Sequence, residues 1–187
     1  WATTGGGPLV ELDPVSGAIV ARYNDGITLG LAVHPTTGKL YVATSSGVQI
    51  FDPETRRFAG FASTRVYDLA FAPDGKLHAT TWPEDGRLIR FDQHGNAEVV
   101  MIPQTPVGGL AFGLKDTPLE NLMFLNHLAD GTLTMVDLVT MKAIDVAQGG
   151  IRGDFLAVSP QGRLFVTQAD QVITFFPVTA PVVVATS

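Results

Sequence analysis

Chemistry in this chain would have to come from carboxylates and imidazoles, because there is no cysteine to supply a thiolate nucleophile, a thiolate metal ligand or a disulfide. Asp13, Asp52, Asp92 and Asp137 recur along the sequence, the first two followed by proline. An Asp accepts hydrogen bonds from the amides that follow it and a Pro presets a turn dihedral, so this motif ends a strand before it does acid catalysis. The four carboxylates also lie too far apart to pair. The histidines show no His-x-His or His-Glu-x-x-His spacing, so a metal site would have to be assembled from separate segments. Gly5–Gly7 is followed by neither a helix pattern nor Lys-Ser/Thr, which makes it a hairpin loop and not a phosphate cradle.

What positions these groups is an internal repeat. One phrase is an apolar strand, a turn and a second strand: Gly30 to Thr44, Asp68 to Trp82, Gly109 to His127 and Phe155 to Gln168, each carrying Leu-Ala-Val or Leu-Ala-Phe. The other is a strand closing on Asp13, Asp52, Asp92, Asp137 and, in degenerate form, Phe176, at separations of 39, 40, 45 and 39 residues. A fourth strand follows each turn. That period is the length of a four-stranded propeller blade, and the longer interval holds an insertion near Lys115 to Glu120. A small sheet that is apolar on both faces is stable only between two neighbours, which is why such units stack in a ring. Ala32, Ala70, Ala111 and Ala157 suit the crowded innermost strand.

The fold expected is all-β, a propeller of about five four-stranded blades. Trp1 to Thr4 aligns with Tyr41 to Thr44, so the first blade, 1–26, lacks its innermost strand. The other blades fall near 27–64, 65–104, 105–149 and 150–178, and 179–187 is a final strand or a linker. The aligned repeats place His78 with Tyr41, Met123 and Phe165 in the interior, and His127 with Ser45, Trp82 and Ala169 at a strand end where a ligand could be met. His94 falls in a turn. Tyr67, Asp68 and Asp154 precede the Leu-Ala phrase, opposed by Gly30, Gly108 and Gly109. With His34, Trp82 and His127 they form the candidate ligand-binding set at one mouth of the central channel. Two acids without a partnered base or nucleophile assign no catalytic residue.

These phrases resemble bacterial propellers of the NHL, streptogramin-lyase-like and two-component-regulator types, whose blades read as an apolar strand, Asp-Pro-Thr-Gly-Lys, Leu-Tyr-Val-Ala-Thr, then Phe-Asp-Pro-Glu-Thr-Gly. The resemblance covers nearly the whole chain and implies blade architecture, not an activity. His34, Ala72, Gly113 and Ser159 stand where many such blades carry Asp. The Val178 to Ser187 ending is similar to the lead-in of Ig-like modules in large secreted bacterial proteins.

Composition narrows the partners. With 12 Lys and Arg against 18 Asp and Glu, the chain offers no diffuse basic surface for a phosphate backbone, so nucleic acid is not expected. No apolar run reaches 18 residues, so no membrane insertion is expected, and the start at Trp1 fits a processed or excised fragment. The absence of cysteine fits a secreted, cell-surface or periplasmic location. The expected function is a non-enzymatic extracellular module for assembly, scaffolding, or ligand and protein recognition within a larger protein, with protein or self-assembly partners and no cofactor. The alternative is a metal-dependent lyase or lactone hydrolase holding a divalent ion such as calcium at the channel mouth, with Asp68, Asp154, His34 or His127 as ligands or proton carriers.

Overall fold

The computed structural model describes residues 1–24, 26–81 and 85–177. Every regular element among them is a strand. The first sheet pairs β1 (Leu9–Leu12) with β2 (Ile19–Tyr23), and Ala2 adds a single bridge to Val10. Three four-stranded antiparallel sheets follow: β3 (Thr28–Val33), β4 (Leu40–Thr44), β5 (Gly47–Asp52) and β6 (Arg57–Ala62); β7 (Val66–Phe71), β8 (Leu77–Thr81), β9 (Leu88–Phe91) and β10 (Ala97–Met101); β11 (Val107–Phe112), β12 (Leu122–His127), β13 (Leu133–Asp137) and β14 (Ala143–Ala147). The last sheet holds β15 (Gly153–Val158), β16 (Leu164–Gln168) and β17 (Val172–Phe175). Strand order equals chain order in every sheet, the meander that short turns enforce. The β3, β7, β11 and β15 strands pack side by side at the centre, so this is a β-propeller seen as an arc of blades.

Four apolar clusters mark the successive blade interfaces. Leu9, Leu40, Val42 and Phe51 join the first two sheets, and Val48, Val66, Leu69 and Ile89 the next two. Leu110, Phe112, Met123 and Val136 join the third to the fourth, and Phe124, Leu133, Leu164 and Val166 the fourth to the fifth. Each interior Leu or Phe removed from water contributes about 1.5–3 kcal/mol, so the stability of one blade depends on its neighbours. The burial pattern shows where a neighbour is missing. All of β11 is buried, whereas β15 is mostly half-buried and Val33 of β3 is 57% exposed beside the first sheet, in which no described residue fills the innermost position.

The Asp-closed turns form as the sequence predicts. Asp13 accepts from the amides of Val15 and Ser16, Asp52 from Glu54 and Thr55, Asp92 from His94 and Asn96, and Asp137 from Val139 and Thr140. Hydrogen bonds to the ionised form, led at Asp92 by the Asn96 side chain and at the other three by these amides, hold all four carboxyls below the ordinary Asp range.

One alignment needs correcting. In the fourth sheet Ala111 faces Phe124, as Ala32 faces Tyr41, Ala70 faces His78 and Ala157 faces Phe165, so Phe124 and not Met123 is the counterpart of His78. His127 moves with it and matches Thr44, Thr81 and Gln168, each opposite the first residue of an innermost strand. The cause is the insertion between β11 and β12. It tucks Leu119 into the core and turns at positive φ through Asp116 and Asn121, which removes the length cue that anchors the other repeats. The expectation for 179–187 lies outside the described residues.

Candidate functional site

Each innermost strand slips register after its first residue: the three steps from Thr28 to Leu31, Val66 to Leu69, Val107 to Leu110 and Gly153 to Leu156 match two steps on the partner strand. A β-bulge of this kind kinks a strand and re-aims its side chains. The bulged pairs are Leu29 and Gly30, Tyr67 and Asp68, Gly108 and Gly109, and Asp154 and Phe155. The residues the sequence singles out before the Leu-Ala phrase are therefore the bulge residues, gathered at one end of the channel.

The glycines explain how these side chains meet. A Cβ on Gly30 would lie 2.6 Å from the Cα of Asp68, and one on Gly109 would lie 2.4 Å from the carbonyl oxygen of Asp154, so neighbouring strands approach there too closely for any side chain. A Cβ on Gly108 would lie 2.4 Å from Leu128 Cδ2 and 3.4 Å from Cε1 of the Tyr67 ring, so Leu128 sets the limit there and Tyr67 would be in ordinary contact. Tyr67 runs beside Gly108 of the fourth sheet and stacks on Phe155 of the fifth, centroids 5.3 Å apart and planes 11° apart. Its hydroxyl donates to Asp154 Oδ1 at 2.7 Å and accepts from the Arg152 guanidinium at 3.1 Å, while Arg152 Nε also donates to Asp154 at 3.0 Å. Burial and the Asp154 carboxylate together push the Tyr67 hydroxyl above its ordinary pKa. The assembly ties the third blade to the fifth across the channel.

Asp68 makes the tie between adjacent blades. Its Oδ1 accepts from the Leu69 amide at 2.9 Å and its Oδ2 from the Leu110 amide of the next innermost strand at 3.0 Å. Its own amide, freed by the bulge, donates to the Thr80 hydroxyl, which in turn donates to the Gly108 carbonyl. Phe155 repeats the device with Thr167. Asp68 is 5% exposed, and loss of hydration pushes its pKa up to about 7 despite the two amide donors. The channel beyond it is a cavity of about 480 Å³ walled by the four innermost strands, and among the described residues its titratable wall groups are Asp68, Lys115 and Glu120.

The other candidates stand apart. His34 follows the far end of β3, where its Nδ1 accepts from the amides of Thr36 and Thr37 and so closes the turn into β4. His127 bridges two hydroxyls, with Nδ1 against Thr105 and Nε2 2.9 Å from Thr134, which donates to Asp145. Trp82 lies outside the described residues. Sequence reasoning passed over Arg152, Thr80 and Phe155, whose roles arise only once three blades converge. Among the described residues, no group of three or more His, Cys, Asp or Glu side chains is placed to hold a metal ion. Nor is any helix among them long and apolar enough to cross a membrane.

The fold and this mouth define a β-propeller with an internally tied channel. No family model matches the chain, and no curated protein matches it by sequence. Solved structures do match. A chain in the crystal structure of the nidogen/laminin complex superposes at TM-score 0.71 with 11% identity, over 89% of this chain and 69% of that one. The β-propeller domain of Myceliophteria thermophila Cps50 (Swd1) gives 0.61 with 16% identity, over 96% of this chain and 62% of that domain. The extracellular domain of the putative hybrid two-component system BT4673 from B. thetaiotaomicron gives 0.60 with 12% identity, over 94% of this chain and 24% of that one. At such identities the likeness concerns the fold.

Proposed function

We propose that this chain is a non-enzymatic extracellular propeller module that recognises or assembles with other molecules as part of a larger protein, of the NHL-like or two-component-regulator kind. The observation that carries this reading is the commitment of the channel-mouth acids to the protein itself: Asp68 is held by two backbone amides and Asp154 by Tyr67 and Arg152. A general base or metal ligand has to face its substrate or ion, whereas Asp68 is 5% exposed with a backbone amide on each oxygen and Asp154 is paired with Arg152 and Tyr67, so both serve the ties between blades. The two-component-system domain of B. thetaiotaomicron is extracellular, and the nidogen/laminin structure is a protein complex; both lend support to a recognition role outside the cytoplasm.

Isothermal titration of the whole chain with Ca²⁺, Mg²⁺, Mn²⁺ and Zn²⁺, with melting in chelator and an assay of δ-valerolactone opening, tests this. We expect no stoichiometric heat, unchanged melting and no lactone opening above the buffer rate. Uptake of one equivalent of metal that is lost in Asp154→Asn, or metal-dependent turnover, would overturn the reading in favour of a lyase or lactone hydrolase.

A further inference from the structure

We propose that the cleft between the second and third sheets, away from the channel mouth, binds an uncharged hydroxyl-rich ring, a pyranose sugar. The proposal rests on the recognition reading above and assigns it a site and a ligand class. The cleft is a half-open groove of about 540 Å³ walled by the half-buried rings of Tyr41, Phe61 and Phe71, with His34, Gln93 and His94 at its rim. Tyr41 meets Phe61 and Phe71 edge to face, each at 5.1 Å between centroids. The volume and the mixture of aromatic wall and few polar groups are those of a small-molecule site.

The architecture of the fold does not by itself demand this lining. At the next blade interface the corresponding cleft, about 330 Å³, has Ala72 in place of His34, His78 in place of Tyr41 and Phe112 in place of Phe71, and its remaining wall mixes Leu88, Val100 and Met123 with Asp74, Arg90 and Asn121. Three aromatic rings wall the first cleft, whereas the second has the His78–Phe112 pair.

The polar groups of the first cleft select the ligand. The Tyr41 hydroxyl makes no hydrogen bond among the described residues, and loss of hydration pushes its pKa up. Because His34 Nδ1 accepts two backbone amides, its hydrogen sits on Nε2, a donor directed elsewhere. Gln93 Nε2 meets His94 Nε2 at 3.1 Å, which leaves the Gln93 carbonyl as an acceptor. The charges are already matched: Lys76 pairs with Asp74 at 3.4 Å, and Asp92 is engaged by the amides of His94 and Asn96 and by the Asn96 side chain. A charged ligand would lose hydration there without a counter-charge, and a purely apolar one would cover the Tyr41 hydroxyl and the His34 N–H without satisfying them. A sugar ring offers C–H groups to the aromatic faces and hydroxyls that both donate and accept.

Saturation-transfer NMR and calorimetry on the whole chain, with methyl β-D-glucopyranoside, N-acetylglucosamine and cellobiose as probes and indole and benzyltrimethylammonium as comparators, test the proposal. At least one sugar should bind in the millimolar range or tighter, ahead of both comparators. Tyr41→Phe removes one oxygen, and His34→Asp keeps an acceptor for the Thr36 and Thr37 amides while removing the Nε2 donor. Each should weaken the sugar by about 3- to 10-fold, the worth of one hydrogen bond, with melting unchanged. Val20→Thr on the outer rim should bind as the parent does. No transfer or heat from any sugar at about 50 mM, a dissociation constant beyond the range of weak specific binding, would overturn the assignment. So would tighter binding of indole or the ammonium ion, or full affinity in both folded variants. A metal-binding result would defeat the recognition reading without touching this outcome, and a failed sugar titration would leave that reading in place.

Discussion

Replacing Asp68 with Asn should remove a pH dependence of stability that the buried carboxyl imposes on the parent. In the folded chain its pKa is raised to about 7 from 3.8, so the folded state holds this proton more tightly than the unfolded one. The contribution of Asp68 is greatest below about pH 4, declines as pH rises from about 4 to 7, and is flat above. At ~1.4 kcal/mol per pKa unit the full effect has an upper bound of about 4 kcal/mol, and relaxation around a buried charge reduces it. For a domain of this size 1 kcal/mol moves the melting temperature by about 2–4 °C, so the slope is at most roughly 3–5 °C per pH unit. His78, whose burial lowers its pKa, works the other way: it is a stability cost once the unfolded imidazole protonates below about pH 6.5. The assay is therefore the difference between parent and Asp68→Asn in urea or thermal unfolding from pH 4.5 to 8.5. Asn can accept from only one of the Leu69 and Leu110 amides, which costs about 1–3 kcal/mol. The variant should be clearly weaker at pH 5, and the gap should close as the parent carboxyl ionises. A difference that is constant across this range, or that widens with pH, would refute the account of Asp68.

Other perturbations probe the remaining ties. Tyr67→Phe keeps the stack on Phe155 but removes the hydroxyl between Asp154 and Arg152; it should cost about 1–2 kcal/mol, and a double-mutant cycle with Asp154→Asn should show coupling of at least about 0.5 kcal/mol. Purely additive effects would mean that the contact across the channel does not form. Phe124→Ala, in the interior between two sheets, should cost about 3–5 kcal/mol, whereas Phe165→Ala at the same register position in the last sheet should cost well under that, because no described blade covers it. Equal costs in denaturant unfolding would show that the outer face of the last sheet is covered.

Much of this molecule is legible in its sequence because blade structure is local. Alternating apolar residues set each strand, Asp13, Asp52, Asp92 and Asp137 cap the turns into the outermost strands, and the repeat of about forty residues follows from four short strands and their connections. Even the special standing of Tyr67, Asp68 and Asp154 could be read from their place before the Leu-Ala phrase. Their use could not. Whether Asp68 faces water or the Leu110 amide, and whether Asp154 is free or held by Tyr67 and Arg152, depends on how closely successive innermost strands approach and on an aromatic ring reaching two blades away beside Gly108. The register of β12 was likewise hidden, since an insertion erases spacing as a guide and only pairing with β11 restores it. Period, strands and turns were thus determined by neighbours in the chain. The hydrogen bonds that close the channel mouth were decided by curvature, which sums over several sheets and has no signature in any one of them.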